Sequence, residues 1–232
     1  MDTSIIFKFL RDIAANNNRQ WFGEHRDEYE KARASFEADI AKAIVAISEF
    51  DPDVAHLSVK DVTYRFYRDT RFSPDKSPYK RHLGAYIAAH GKKSHHGGYY
   101  IHLEPGRCLL ACNDYCLPTN ILNACRNEIM GNTEQWLACV ESDIFRRNFG
   151  KAGTGSFGND KGFGIERLKT CPTGFPKDYQ YIQYIRMKDY CCWQHVDDNF
   201  FALPDWQEKA CQVFKAAKPM MDFINAVVDD YE

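Results

Sequence analysis

A chain of 232 residues, 44% hydrophobic and 27% charged, can bury a substantial core, and its composition excludes disorder and a membrane bundle. A formal charge of −2 and a pI near 6.4 argue against a general nucleic-acid coat protein while leaving room for a local basic groove. Nine cysteines, an odd count that includes adjacent Cys191 and Cys192, fit a reducing cytoplasm better than a disulfide framework.

The opening residues have no basic n-region, and their apolar run is broken by Lys8 and Arg11, so neither a signal peptide nor a membrane span is expected. They read instead as a helix capped by Ser4, with Ile6, Phe9, Leu10 and Ile13 at helical spacing, ended by Asn16-Asn17-Asn18. A longer helix follows. Tyr29, Ala32, Phe36, Ile40, Ala43 and Ile47 fall on one face and Glu28, Glu30, Lys31, Arg33 and Glu37 on the others, until Asp51-Pro52 closes it. From Val62 the period shortens to two: Val62, Tyr64 and Phe66 alternate with Thr63, Arg65 and Tyr67, as on a half-buried strand. Ser73-Pro74-Asp75 and Ser77-Pro78 are turn chemistry. Strands are expected over Leu83 to His90, Tyr99 to Glu104 and Arg107 to Asn113, joined by turns short enough for antiparallel hairpins.

Helices resume at Thr119, with Ile121, Leu122, Cys125 and Ile129 inward and Gly131 at the end, and again at Thr133 with Trp136, Leu137 and Val140. Gly150 to Gly164, holding six glycines, reads as a loop, and Tyr190 to Val196 as a further strand. Asp205 and Glu208 make a capping-box pattern for a last helix that Pro219 is expected to kink or split. Helices, a strand meander and helices again, without βαβ alternation, spell an α+β fold over residues 1–232: a mainly antiparallel sheet packed with N-terminal and C-terminal helices in a single domain.

The segment from Tyr64 to His82 holds six basic residues (Arg65, Arg68, Arg71, Lys76, Lys80, Arg81) against Asp69 and Asp75, a local charge of +4 that leaves −6 for the rest. Guanidinium forks bind phosphate or carboxylate bidentately, and aromatic faces stack on rings or on Arg. One reading is an anion cradle in which Arg65, Arg68 and Arg71 supply forks, Lys76 and Lys80 point charges, and Tyr67, Phe72 or Tyr79 a stacking face. The other is internal pairing of Arg68 or Arg71 with Asp69, and of Lys76 with a carboxylate, which locks an irregular loop. Arg19 and Trp21 are candidate walls of the same pocket. The plainer account makes Trp21 and Phe22 core anchors and Asn18 a helix cap.

Other patterns carry less. No HExxH or CxxC is present, and no metal or cofactor is expected. His95-His96 lies in a polar glycine-rich turn and is expected in solvent. His102 shares strand parity with Tyr100 and Glu104, which admits an acid or base role or a hydrogen-bonded sheet histidine. Cys108, Cys112 and Cys116 would spread over about 26 Å of strand, too far for one ion, and read as small buried residues. Gly153 to Gly158 spells GxGxxG but lacks the strand before it and the helix after it that a dinucleotide site requires.

Asn17-Asn18-Arg19 with Trp21-Phe22, then Arg65 to Phe72, Asp75 to Lys80, Gly98 to Leu103, and Leu168-Lys169 leading to Pro172 to Phe175, resemble the family called domain of unknown function 2461. The resemblance runs from about Phe7 into the final helix. It implies single-domain soluble proteins with no established activity, and so supplies no catalytic residues. At Thr170, where a basic residue is common in the family, this chain departs from the pattern.

The leading expectation is a cytoplasmic protein that binds a phosphate-bearing or otherwise anionic small molecule, or nucleic acid, through Arg65 to Arg81, without a membrane partner. The site residues are Arg65, Arg68, Asp69, Arg71, Phe72, Lys76, Tyr79, Lys80, Arg19 and Trp21. The alternatives are a hydrolase or phosphoryl-transfer enzyme using Asp69 and His102, and an interaction module whose Arg/Asp network is structural.

Overall fold

The computed structural model describes residues 1–113, 116–153, 156 and 158–232. Its elements run α1 (Thr3–Ala15), α2 (Arg19–Glu24), α3 (Arg26–Ser48), α4 (Val59–Val62), β1 (Leu83–Ile87), β2 (Tyr99–Leu103), β3 (Leu109–Cys112), α5 (Thr119–Gly131), α6 (Thr133–Val140), α7 (Asp143–Phe149), β4 (Lys161–Phe163), α8 (Ile182–Ile185), β5 (Cys192–His195) and α9 (Trp206–Val228). The strands form one sheet in the order β1-β2-β3-β5-β4, so the expected α+β fold with a central antiparallel meander between N-terminal and C-terminal helices is present. No helix among the described residues is long and apolar enough to cross a membrane.

Contacts divide the chain into two compact units. The first holds Met1–Ile87, Tyr100–Leu109 and Val196–Lys209. Here α1 packs its stripe of Ile6, Phe9, Leu10 and Ile13 on α3, whose Ala32, Phe36, Ile40, Ala43 and Ile47 are buried. The cap of α1 is Asp2 rather than Ser4: Asp2 Oδ1 accepts from the Ile5 amide at 3.2 Å, and the Ser4 hydroxyl donates to the same oxygen. Val62 to Tyr67 is not a strand. Val62 closes α4, and the chain then touches two different segments through isolated bridges, Thr63 with Ala85 and Tyr67 with Tyr79. The alternation therefore only partly reports burial: Val62 and Phe66 are buried, whereas Tyr64 is 41% exposed.

The second unit holds Ala88–Tyr99, Leu110–His195 and Ala210–Glu232. Trp136 is fully buried against Tyr184, Tyr190, Phe163 and Phe223. The glycine-rich segment read as a loop contains β4, paired antiparallel with β5 so that Gly162 faces Trp193. Thr154, Gly155 and Phe157 of the GxGxxG pattern lie outside the described residues. His96, expected in solvent, is instead buried, because its ring is held between Ser94 and Asp229. Cys108 and Cys112 are buried as expected, but Cys116 is exposed, since it follows the end of β3. The last helix, α9, runs continuously through Pro219 and is not split.

Candidate functional site

The proline-punctuated segment folds onto itself. Arg68 Nη1 donates to Asp75 Oδ2 at 2.6 Å, to Ser77 Oγ at 2.7 Å and to the Ser77 carbonyl at 3.1 Å, and Nη2 reaches Ser73 Oγ at 3.3 Å. Asp75 Oδ1 in turn accepts from the Ser77 amide and hydroxyl. These bonds, with Arg68 behind them, lower the Asp75 carboxyl to about 2. Arg71 forks onto Asp69, which it likewise holds at about 2, and Lys76 donates to the Thr70 carbonyl at 2.9 Å. Three of the candidate cations thus have partners inside the loop, the arrangement in which they lock its shape. Arg68→Ala is expected to cost about 1–2 kcal/mol, because its bonds are charge-assisted but partly exposed. Hydrogen exchange should show amides 69–77 opening faster. Unchanged protection there would mean that Arg68 does not hold the loop.

Arg65 lies on a cleft of about 320 Å³ whose walls also include Phe22, Arg26, Tyr29, Glu30, Arg33, Lys60, Tyr64 and Tyr67. Four cations in that lining face one carboxylate. Arg26 sits 3.7 Å from Glu30, and Arg33 is bonded to Glu37 at 2.7 Å. Lys80 stands over the Tyr64 ring at 4.9 Å, and both burial and the neighbouring Arg65 depress its proton affinity. Two cations that raise each other's energy beside an open cleft would be relieved by an anion. Phe72 is 93% exposed with Arg71 over its ring, a flat face open to solvent.

The remaining candidates are structural or peripheral. Phe22 is buried, and Tyr79 is buried and stacked on it at 4.1 Å. Trp21 stacks on His25 at 4.0 Å, Asn18 caps α2 through the Trp21 amide, and Arg19 is exposed. The cleft residues on α3 and α4 were missed by sequence reasoning. Arg26, Tyr29, Glu30 and Arg33 stand at i, i+3, i+4 and i+7, and that helical stripe was the available signal.

Two histidine clusters stand apart from the cleft's lining. In one, His102 Nδ1 meets Tyr100 Oη at 2.8 Å and Nε2 meets Glu104 Oε2 at 3.3 Å, while the His82 ring lies 4.3 Å from that of His102. Burial above all, then His102 and Lys80, push the His82 imidazole down to about 3, so it is neutral near pH 7. In the other, His96 lies between Ser94 and Asp229 with the His90 ring stacked on it at 3.9 Å. Asp69 bonds to Arg71 and His102 to Tyr100 and Glu104, so these contacts lend no support to Asp69 and His102 as an acid–base pair.

No curated protein and no solved structure matches this chain. A family model described as conserved hypothetical protein (DUF2461) matches residues 5–223, and both segments just described, the locked loop and the His102 strand, fall inside the match. The chain therefore belongs to the DUF2461 family.

Proposed function

We propose that the protein binds a phosphate-bearing anion in the cleft bordered by Arg26, Arg33, Lys60 and Arg65, with Lys80 at its edge. The observation that carries this reading is the cationic excess around an open cleft of about 320 Å³, within the size range of small-ligand pockets. Tyr64 and Tyr67 add aromatic walls, which favours a ligand with a ring, such as a nucleotide. The loop of Arg68, Asp69, Arg71, Phe72, Lys76 and Tyr79 supports the site by holding its own shape, and Phe72 offers a stacking face at its tip. Nine cysteines, none of them in a disulfide, support placing the protein in the cytoplasm.

Calorimetry against inorganic pyrophosphate, a nucleoside triphosphate and a single-stranded oligonucleotide tests the proposal. Replacing Arg65 or Lys80 by alanine should weaken binding about 10–100-fold, the value of a lost charge-assisted contact. Lys177→Ala, at an exposed position remote in sequence, should leave it unchanged. Equal affinity in the double variant Arg65→Ala/Lys60→Ala would overturn the proposal. If the oligonucleotide binds best, affinity should also fall steeply with salt.

A further inference from the structure

We propose that His82, His102 and Glu104 form a binding site for one divalent first-row transition-metal ion. The nitrogen or oxygen atoms they offer all lie within 4.8 Å of one another. His82 immediately precedes β1, and His102 and Glu104 lie on and just after its sheet neighbour β2. Strand alternation sets Tyr100, His102 and Glu104 on one face of β2 and His82 and Gly84 on one face of the neighbouring strand. Gly84 is part of this arrangement: a Cβ there would come within 2.9 Å of Tyr100 Oη, so its absence lets the Tyr100 ring lie against β1.

The distances suit co-ligation. His102 Nε2 and Glu104 Oε2 are 3.3 Å apart, longer than the roughly 2.7–2.9 Å of a charge-assisted bond. Two ligands of a tetrahedral ion with bonds near 2.1 Å stand about 3.4 Å apart. Tyr100 Oη occupies His102 Nδ1, the outer-sphere partner that orients a ligating imidazole and leaves Nε2 for the metal. The His82 ring makes no hydrogen bond to the described residues and lies 4.3 Å from the ring of His102. Two imidazoles and a carboxylate suit zinc, cobalt, nickel or ferrous ions rather than magnesium or calcium, and they leave coordination positions open. The second cluster does not share this geometry. Its ligand atoms also lie within 4.8 Å of one another, but the His90 and His96 rings are parallel within 8°, so their lone pairs lie in stacked planes instead of converging.

The test uses the full chain, stripped with a chelator and titrated with Zn²⁺ by calorimetry and with Co²⁺ by its visible ligand-field band. One equivalent should bind. His82→Ala and Glu104→Gln should each weaken binding by more than Tyr100→Phe, for which a loss of roughly 10–100-fold is expected. His90→Ala should leave binding intact. Glu104→Gln keeps side-chain volume, and its thermal midpoint in the metal-free state separates a lost ligand from a lost fold. Absence of binding to the parent chain, unchanged affinity in His82→Ala and Glu104→Gln, or loss of binding in His90→Ala instead would each overturn the assignment. The anion proposal is untouched by any of these outcomes, because none of the three ligands lines the cleft.

Discussion

Replacing Phe22 by alanine is expected to lower unfolding free energy by about 3–5 kcal/mol, the range for a large buried aromatic truncated in a packed core. Phe22 is 5% exposed on the six-residue α2, too short to be stable on its own propensity, so its packing is what holds that helix in place. Its ring stacks on Tyr79 at 4.1 Å and on Phe66 at 6.0 Å, and lies against Tyr29 at 5.2 Å and Phe9 at 6.5 Å. The cavity left by alanine would open beneath the cleft, since Phe22, Tyr29 and Phe66 also form its wall. Phe22→Leu should cost much less, because most of the volume is kept. Trp21→Ala is the internal comparison: Trp21 is only half-buried and packs mainly on His25. Urea denaturation of the three variants checks the order. A Phe22→Ala loss no larger than that of Trp21→Ala would show that α2 is not anchored this way.

Much of the fold was legible because hydrophobic periodicity is a local signal. The apolar stripes of α1, α3 and α5, the meander β1 to β3 and the strand β5 follow from spacing and turn residues alone. β4 was hidden for a reason that lies outside its own segment. Gly162 looks like a loop residue, yet a Cβ there would sit 2.3 Å from the ring of Trp193, its cross-strand partner. The glycine is thus a seat for a fully buried indole, visible only once the two strands are paired. His96 was misread for a similar reason: its acceptor Asp229 is 133 residues away, on the segment after α9.

The candidate site divides along the same line. Charge density in Tyr64 to His82 was plain from sequence, but charge alone did not decide which cations were spent within the segment. Arg68 reaches Asp75 seven residues on, a pairing that bends the chain around Pro74, whereas Arg71 turns back to Asp69 two residues before it, a pairing the sequence offered directly. Arg65 and Lys80, at the two ends of that bend, are brought close enough to repel, and the cations that join Arg65 around the cleft come from α3 and α4. A linear motif therefore contributed the loop and part of a cleft whose other wall is helical.

Asn17→Ala is expected to cost about 2–4 kcal/mol, because it strands two backbone groups at once. The Arg68 amide donates to the Pro78 carbonyl and the Lys80 amide to the Phe66 carbonyl, so Tyr67 and Tyr79 form the non-hydrogen-bonded pair between them. The amide and carbonyl of Tyr79 consequently point away from Tyr67. The Asn17 carboxamide meets both: Tyr79 N–H donates to Oδ1 at 3.0 Å, and Nδ2 donates to the Tyr79 carbonyl at 3.0 Å. One side chain thus stands in for a strand and ties the turn after α1 to the loop. Asn17→Asp keeps the acceptor but sets a carboxylate oxygen against the Tyr79 carbonyl, so it should fall between wild type and alanine only when that acid is protonated. Thermal melts of both variants at neutral and acidic pH read this out. Asn17→Asp should gain on Asn17→Ala as pH falls through the carboxylate range, whereas a parallel response of the two variants would rule out the paired-amide role.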